Sequence, residues 1–171
     1  MTTRDESPTL AAAVAELRRR LQLLEDERDI REVLSRYGFN ADLGRADAWV
    51  GLFTADGVLD LDPSIISPSH LGGAAELRTM ITTPPHKDIE GHCQHQMQGL
   101  PMVVYVEGDQ AVVEGDSMTV VRDRDGSLRI LMASYNRWTL VRTDAGWRIR
   151  ECVRRPIGST DQAEVFTRTT A

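Results

Sequence analysis

A chain of 171 residues is long enough for one domain with its own core, and 41% hydrophobic and 27% charged residues are ordinary for a globular protein. The net charge of −6 and pI near 5.2 argue against nucleic acid or an anionic membrane surface as main partner, because both select a basic face. No apolar run approaches the roughly 20 residues that span a bilayer. The N-terminus lacks the basic start and apolar run of a secretory signal, and two cysteines without a CxxC pattern point to a reduced, cytoplasmic setting.

Residues 1–7 read as disordered. Ser7-Pro8 predicts a helix start, a capping hydroxyl followed by proline at the first helical position. Leu10, Val14, Leu17, Leu21 and Leu24 then recur at steps of three and four, with Arg18-Arg19-Arg20 and Glu25-Asp26-Glu27 on the wet side. Ile30, Val33, Leu34 and Tyr37 continue the stripe, with room for a bend near Asp29. Gly44 can end the helix, and Asp47 can cap a short one carrying Trp49, Val50, Leu52 and Phe53. Beyond Asp56-Gly57 the alternation of residues 58–62 predicts a short strand. Residues 63–71 and 82–90, rich in proline and serine, read as loops, with His70 and His86 exposed in them. Between them, 74–81 reads as a helix with Leu77 and Ile81 inward.

The last third reads as β structure. Strands are expected over 93–106, 110–123, 128–141 and 146–154, joined by Glu107-Gly108-Asp109, Arg124-Asp125-Gly126 and Thr143-Asp144-Ala145-Gly146. Helices followed by a meander give an α+β fold, helices on one face of a mostly antiparallel sheet. The expected domain is residues 8–156, with 157–171 as a tail. No Gly-rich phosphate loop or nucleotide fingerprint is present, and no cofactor is expected.

Several segments resemble the SnoaL-like branch of the NTF2-like superfamily, over roughly residues 10–156. They are Ile30-Arg31-Glu32-Val33-Leu34-Ser35-Arg36-Tyr37 with Asp42, Leu52-Phe53-Thr54-Ala55-Asp56-Gly57, Gln94-His95, and Trp147-Arg148-Ile149-Arg150-Glu151. The resemblance implies a cone-shaped α+β fold with a deep pocket. It does not fix the reaction, because the branch hosts dehydratases, isomerases, epoxide hydrolases, cyclases and binders. By resemblance to bile acid 7-alpha-dehydratase, the catalytic Tyr, Asp and His fall on Tyr37, Asp42 and His95. That family's pocket Arg falls on Arg154, or on Arg155 if the register slips by one. By resemblance to scytalone dehydratase, an Asp–His pair falls again on Asp42 and His95, and a substrate-contacting Asn on Asn136. Its second His position is Asp116 here, and its two pocket tyrosines are Ala41 and either Leu61 or Asp62, which argues against a scytalone-type substrate.

The chemistry of these residue types agrees with that mapping. An imidazole moves protons near pH 7, and a carboxylate partner fixes its tautomer and raises its basicity. A phenol at Tyr37 can donate to a substrate carbonyl oxygen. The spacing sets a condition: five residues turn an ideal helix through about 500°, leaving Tyr37 and Asp42 about 140° apart, so both reach one pocket only if the helix ends between them. His92 and His95 are three apart on a strand, point to opposite faces, and do not make a metal pair. Glu114, Asp116 and Met118 share a face that is either pocket or solvent. Asn136 shares one with Met132, Ser134 and Trp138, a mixture that suits a pocket wall. Asp62 and Arg154 are further candidate substrate contacts; Arg154, facing inward, would hold a carboxylate.

The function expected is a cofactor-independent lyase dehydrating a small or polycyclic hydroxy-ketone. An isomerase or cyclase in the same pocket and a non-enzymatic ligand binder are the alternatives. A small-molecule substrate and a homo-oligomer, dimer or trimer, are the expected partners. The first helix's leucines cover either the cone or another subunit.

Overall fold

The computed structural model describes residues 9–97 and 103–167. Residues 1–7, the Ser7-Pro8 helix start and the centre of the strand expected over 93–106 lie outside the described residues. Helix α1 is Leu10–Asp42, 33 residues without interruption, and its N-cap is Thr9, whose side chain accepts from the Ala12 N–H at 3.3 Å. The helix is not broken near Asp29. Only the second half of the helix is buried: Asp26, Ile30, Leu34, Tyr37 and Ala41 follow one another at steps of four and three. The leucines of the first half do not cover the domain; Leu10, Leu17, Leu21 and Leu24 are all more than half exposed.

The remaining elements are α2 (Ala46–Val50), β1 (Phe53–Leu61), β2 (His70–Gly72), α3 (Gly73–Thr82), α4 (His86–Ile89), β3 (Cys93–Met97), β4 (Val103–Glu107), β5 (Gln110–Arg122), β6 (Leu128–Thr143), β7 (Gly146–Pro156) and α5 (Gln162–Thr167). Phe53 opens β1 instead of closing α2, and Asp47 does not cap α2: it lies in the first turn and pairs with Arg78. The segment read as loop over 63–71 contributes edge strand β2, and the one over 82–90 contains α4. Among the described residues no helix is long and apolar enough to cross a membrane.

The sheet runs β2-β1-β7-β6-β5-β3, with β4 beside the other end of β5; β1 is parallel to β7 and the other pairs are antiparallel. Register shifts at Thr119/Val120 and at Thr139/Leu140 insert an extra residue, Leu131 in β6 and Arg150 in β7. Such bulges bend and twist a sheet. α1, α2 and α3 pack the concave face with Ile30, Leu34, Trp49, Leu77 and Ile81 against Leu59, Val113, Trp138, Leu140 and Ile149. Tyr37, Trp49 and Phe53 form an aromatic cluster with ring centroids 5.0 to 6.0 Å apart. Asp26 locks α1 to the β6–β7 hairpin: Arg142 donates twice to it at 2.7 Å, and Trp147 Nε1 donates at 3.3 Å.

Candidate active site

The end of α1 organises the site. Gly44 takes φ +63°, a conformation that favours glycine, and the Arg45 and Gly44 N–H groups close back on the Asn40 and Ala41 carbonyls at 2.9 and 3.1 Å. The segment ahead of β3 also bonds the carbonyls of this last turn. Ala41 O accepts from His86 Nε2 at 3.0 Å, and Asp42 O accepts from the Gly91 N–H at 3.1 Å. The helix end therefore holds α4 and β3 in place.

Asp42 is the last residue of the helix, where a carboxylate faces the negative end of the helix dipole. Three donors compensate for that placement. The His95 N–H donates to both carboxylate oxygens at 3.0 Å, His95 Nδ1 donates to Oδ1, and the Cys93 thiol donates at 3.6 Å. A carboxylate only accepts, so the imidazole proton sits on Nδ1 and Nε2 keeps its lone pair. The His95 side chain is 9% exposed and lines a cavity of about 560 Å³.

The same cavity is lined by Tyr37, Trp49, His86 and Arg154, with Leu59, Ile65, Met80 and Leu131 among its apolar walls. Tyr37 and Asp42 do diverge, because the helix stays intact to Asp42. Asp42 does not line the cavity; it contacts His95, which does. Tyr37 enters directly from the buried face one turn earlier. Burial pushes its phenol well above the usual range, and its oxygen accepts only a weak bond from the Cys152 thiol at 4.0 Å. Its O–H is left to donate.

Arg154 faces the cavity and Arg155 does not. Arg155 lies on the other face, paired with Asp60 at 3.2 Å and Asp161 at 2.8 Å. Arg154 is 5% exposed; its Nε donates to Asn136 Oδ1 at 2.9 Å, and its guanidinium carbon stands 5.9 Å over the Tyr37 ring. Asn136, 1% exposed, fixes that orientation by donating from Nδ2 to Ser117 Oγ at 2.9 Å and to the Gly115 and Ser134 carbonyls. Asn136 therefore stands behind Arg154 rather than on the cavity wall.

The other candidates lie elsewhere. Trp138 is fully buried in the core, away from the cavity lining. Asp116 is exposed on the outer face of β5. Asp62 turns back on its own loop, accepting from the Ser64 N–H at 2.8 Å. His70 is exposed, as expected, and so is His92, but His86, also expected to be exposed, is buried, stacked 6.2 Å from His95, with desolvation holding its imidazole below the usual range.

Of the residues near His95, Cys93 was not singled out in the sequence and His86 was read as exposed. Cys93 was detectable from strand parity, since residues 93 and 95 share a face. His86 gave no such signal. Asp42, Cys93 and His95 bring ligand-type atoms within 4.8 Å of one another. They are held as a hydrogen-bonded set, the carboxylate accepting from the His95 imidazole and the Cys93 thiol, and burial pushes that thiol up to about 12. A larger groove, about 920 Å³, runs between α1 and β4–β5. Of its charged residues, Glu27, Glu114 and Arg137 are engaged in ion pairs and Glu107 is exposed.

The model of the SnoaL-like domain matches residues 22–153, most of the chain. The chain belongs to the SnoaL-like family. A solved NTF2-like protein with a cystatin-like fold from Novosphingobium aromaticivorans is 30% identical over 95% of this chain and 99% of that one, with a TM-score of 0.78. A protein of unknown function from Mycobacterium tuberculosis is 20% identical over 83% and 78% of the two chains, TM-score 0.69. A protein from Novosphingobium aromaticivorans provisionally designated a scytalone dehydratase is 16% identical over 81% and 88%, TM-score 0.66. The last two are similar in fold alone. Among curated proteins, none matches.

Proposed function

We propose that this SnoaL-like protein is a cofactor-independent lyase that dehydrates a small or polycyclic hydroxy-ketone. The observation that carries the reading is the Asp42–His95 pair, which leaves His95 Nε2 unprotonated at an apolar cavity shared with the Tyr37 hydroxyl. Nε2 would take the proton from the carbon beside the carbonyl, and the electron pair of that bond would pass to the carbonyl oxygen. Tyr37 would donate a hydrogen bond to that oxygen as charge develops. A phenol pushed up by burial keeps its proton, which suits a donor rather than an acid that gives the proton away. As the enolate collapses, the carbon–oxygen bond on the neighbouring carbon breaks, and His95 returns its proton to the departing hydroxide, releasing water.

The same pair could return the proton to another carbon, giving an isomerase or cyclase. Incubation with a hydroxy-ketone and sterol panel, read by product mass, separates the two: loss of one water means lyase, an unchanged mass means isomerase. Binding without any product would mean the non-enzymatic reading. The homo-oligomer belongs to this proposal too. The exposed row Leu10, Leu17, Leu21 and Leu24 supports it, and sedimentation of wild type against Leu17→Ser/Leu21→Ser tests it.

A further inference from the structure

Arg154 differs from the other buried ionised groups of the domain. Asp26 is matched by Arg142, and Arg155 by Asp60 and Asp161. Arg154, equally buried, has one hydrogen bond, from Nε to the neutral amide of Asn136, and no ion pair with any carboxylate among the described residues. Its Nη2 is fully buried without a hydrogen-bond partner. A guanidinium stays charged at any ordinary pH, so this is a buried cation with the Tyr37 ring face beside it but no counter-charge among the described residues, which is costly unless something supplies one.

The surroundings narrow what that something is. Asn136 fixes the Nε edge, so the free part of the fork is the outer edge carried by the two Nη atoms. Two residues lining the same cavity carry further donors without a strong acceptor: Trp49, whose Nε1–H is buried and unpartnered, and Tyr37 with its hydroxyl. The one carboxylate among the residues lining the cavity, Asp88, is exposed. An enolate formed during turnover would be present only briefly and would leave the cation unmatched in every other state. A permanent, planar anion matches it throughout, and the end of a guanidinium fork fits a carboxylate with two parallel hydrogen bonds.

We propose that the cavity takes a ligand bearing a carboxylate, seated on the outer edge of Arg154, with an apolar body that presents its reacting carbon to His95. This rests on the cavity's being the reaction site, and it specifies the substrate class as a hydroxy-keto acid rather than a neutral hydroxy-ketone. Arg154 and His95 enter from β7 and β3, on either side of β6 and β5, so one ligand can meet both.

Isothermal titration of matched pairs tests it: each acid against its primary amide, in sizes from phenylacetate through naphthylacetate to a steroid side-chain acid. Wild type binds at least one acid about ten- to a hundredfold tighter than its amide, the range expected for a hydrogen-bonded charge pair. Arg154→Met abolishes the preference. Should that variant fail to fold, Arg154→Lys carries the test, because it keeps the charge without the fork and the preference must fall. Amides binding as tightly as acids throughout, no acid binding at all, or a preference that survives Arg154→Met would each overturn the proposal. A carboxylate preference without turnover would leave the anion site standing and sink the lyase reading. Turnover of neutral hydroxy-ketones with no carboxylate preference would do the reverse.

Discussion

Replacing Asp42 by Asn probes the site at its most exposed assumption, that a carboxylate at a helix C-terminus is there to hold His95. The side chain keeps its size but loses one acceptor and gains two N–H donors. Asp42 takes its bonds from the His95 N–H, His95 Nδ1 and the Cys93 thiol, so at least one of these donors then faces another donor. A hydrogen bond to a charged acceptor contributes about 1.5 to 3 kcal/mol. Relieving a negative charge at the helix C-terminus offsets about 0.3 to 1 kcal/mol of the loss. The net cost is about 0.5 to 2.7 kcal/mol, a fall of roughly 1 to 11 °C in melting temperature for a domain of this size. Catalysis should suffer more, because the imidazole is no longer held with its proton on Nδ1: turnover should drop by about a hundred- to ten-thousandfold. Circular dichroism gives the melting point, and long-range nitrogen–proton NMR gives the tautomer. Wild type should show His95 protonated on Nδ1, and the variant a mixture or the reverse. An unchanged melting point together with an unchanged tautomer would refute the reasoning.

Other consequences are open to test. Asp26→Asn leaves Arg142 without its main partner and should cost about 2 to 4 kcal/mol, somewhat less than the roughly 3 to 5 of a fully buried pair because Arg142 is partly exposed and keeps Asp109. Arg142 above all lowers the Asp26 pKa in the folded protein, so this contribution is present above the unfolded-state value near 3.9 and is lost as pH falls through the folded one. Urea titrations should therefore show the two proteins converging below about pH 4; a gap that stayed constant into acid would contradict the ion pair. Burial pushes the Cys93 thiol up to about 12 and the Cys152 thiol up to about 11, so neither should react with a thiol reagent at pH 8 until the protein unfolds. Fast labelling of folded protein at Cys93 would mean that the Asp42 contact is not maintained.

Much of this was legible in the chain. The hairpin turns, the inward pair Leu77 and Ile81, and the Asp42–His95 pairing follow from turn chemistry, period and resemblance. What was not legible turns on single inserted residues and on distant partners. With Trp147 and Ile149 inward, strict alternation along β7 would carry Arg155 inward; the extra residue at Arg150 switches the parity and delivers Arg154 instead. No local pattern announces such a bulge. His86 reads as a loop histidine because its partner, the Ala41 carbonyl, lies 45 residues earlier. The leucines of the first half of α1 have the period of a buried stripe, but periodicity shows only that a face exists, not what covers it. Asp42 is unfavourable as helix chemistry and makes sense only beside His95, the kind of local conflict that marks functional sites.

The most direct test of the account is turnover by His95→Ala. The side chain is at the cavity wall, and when the bond from its ring to Asp42 is lost its backbone N–H still ties β3 to both carboxylate oxygens, so the fold should survive with a near-native circular dichroism spectrum. On whichever hydroxy-ketone or hydroxy-keto acid the wild type converts with loss of water, the account predicts that His95→Ala gives no dehydrated product. A folded His95→Ala protein that dehydrates the substrate at the wild-type rate would contradict it.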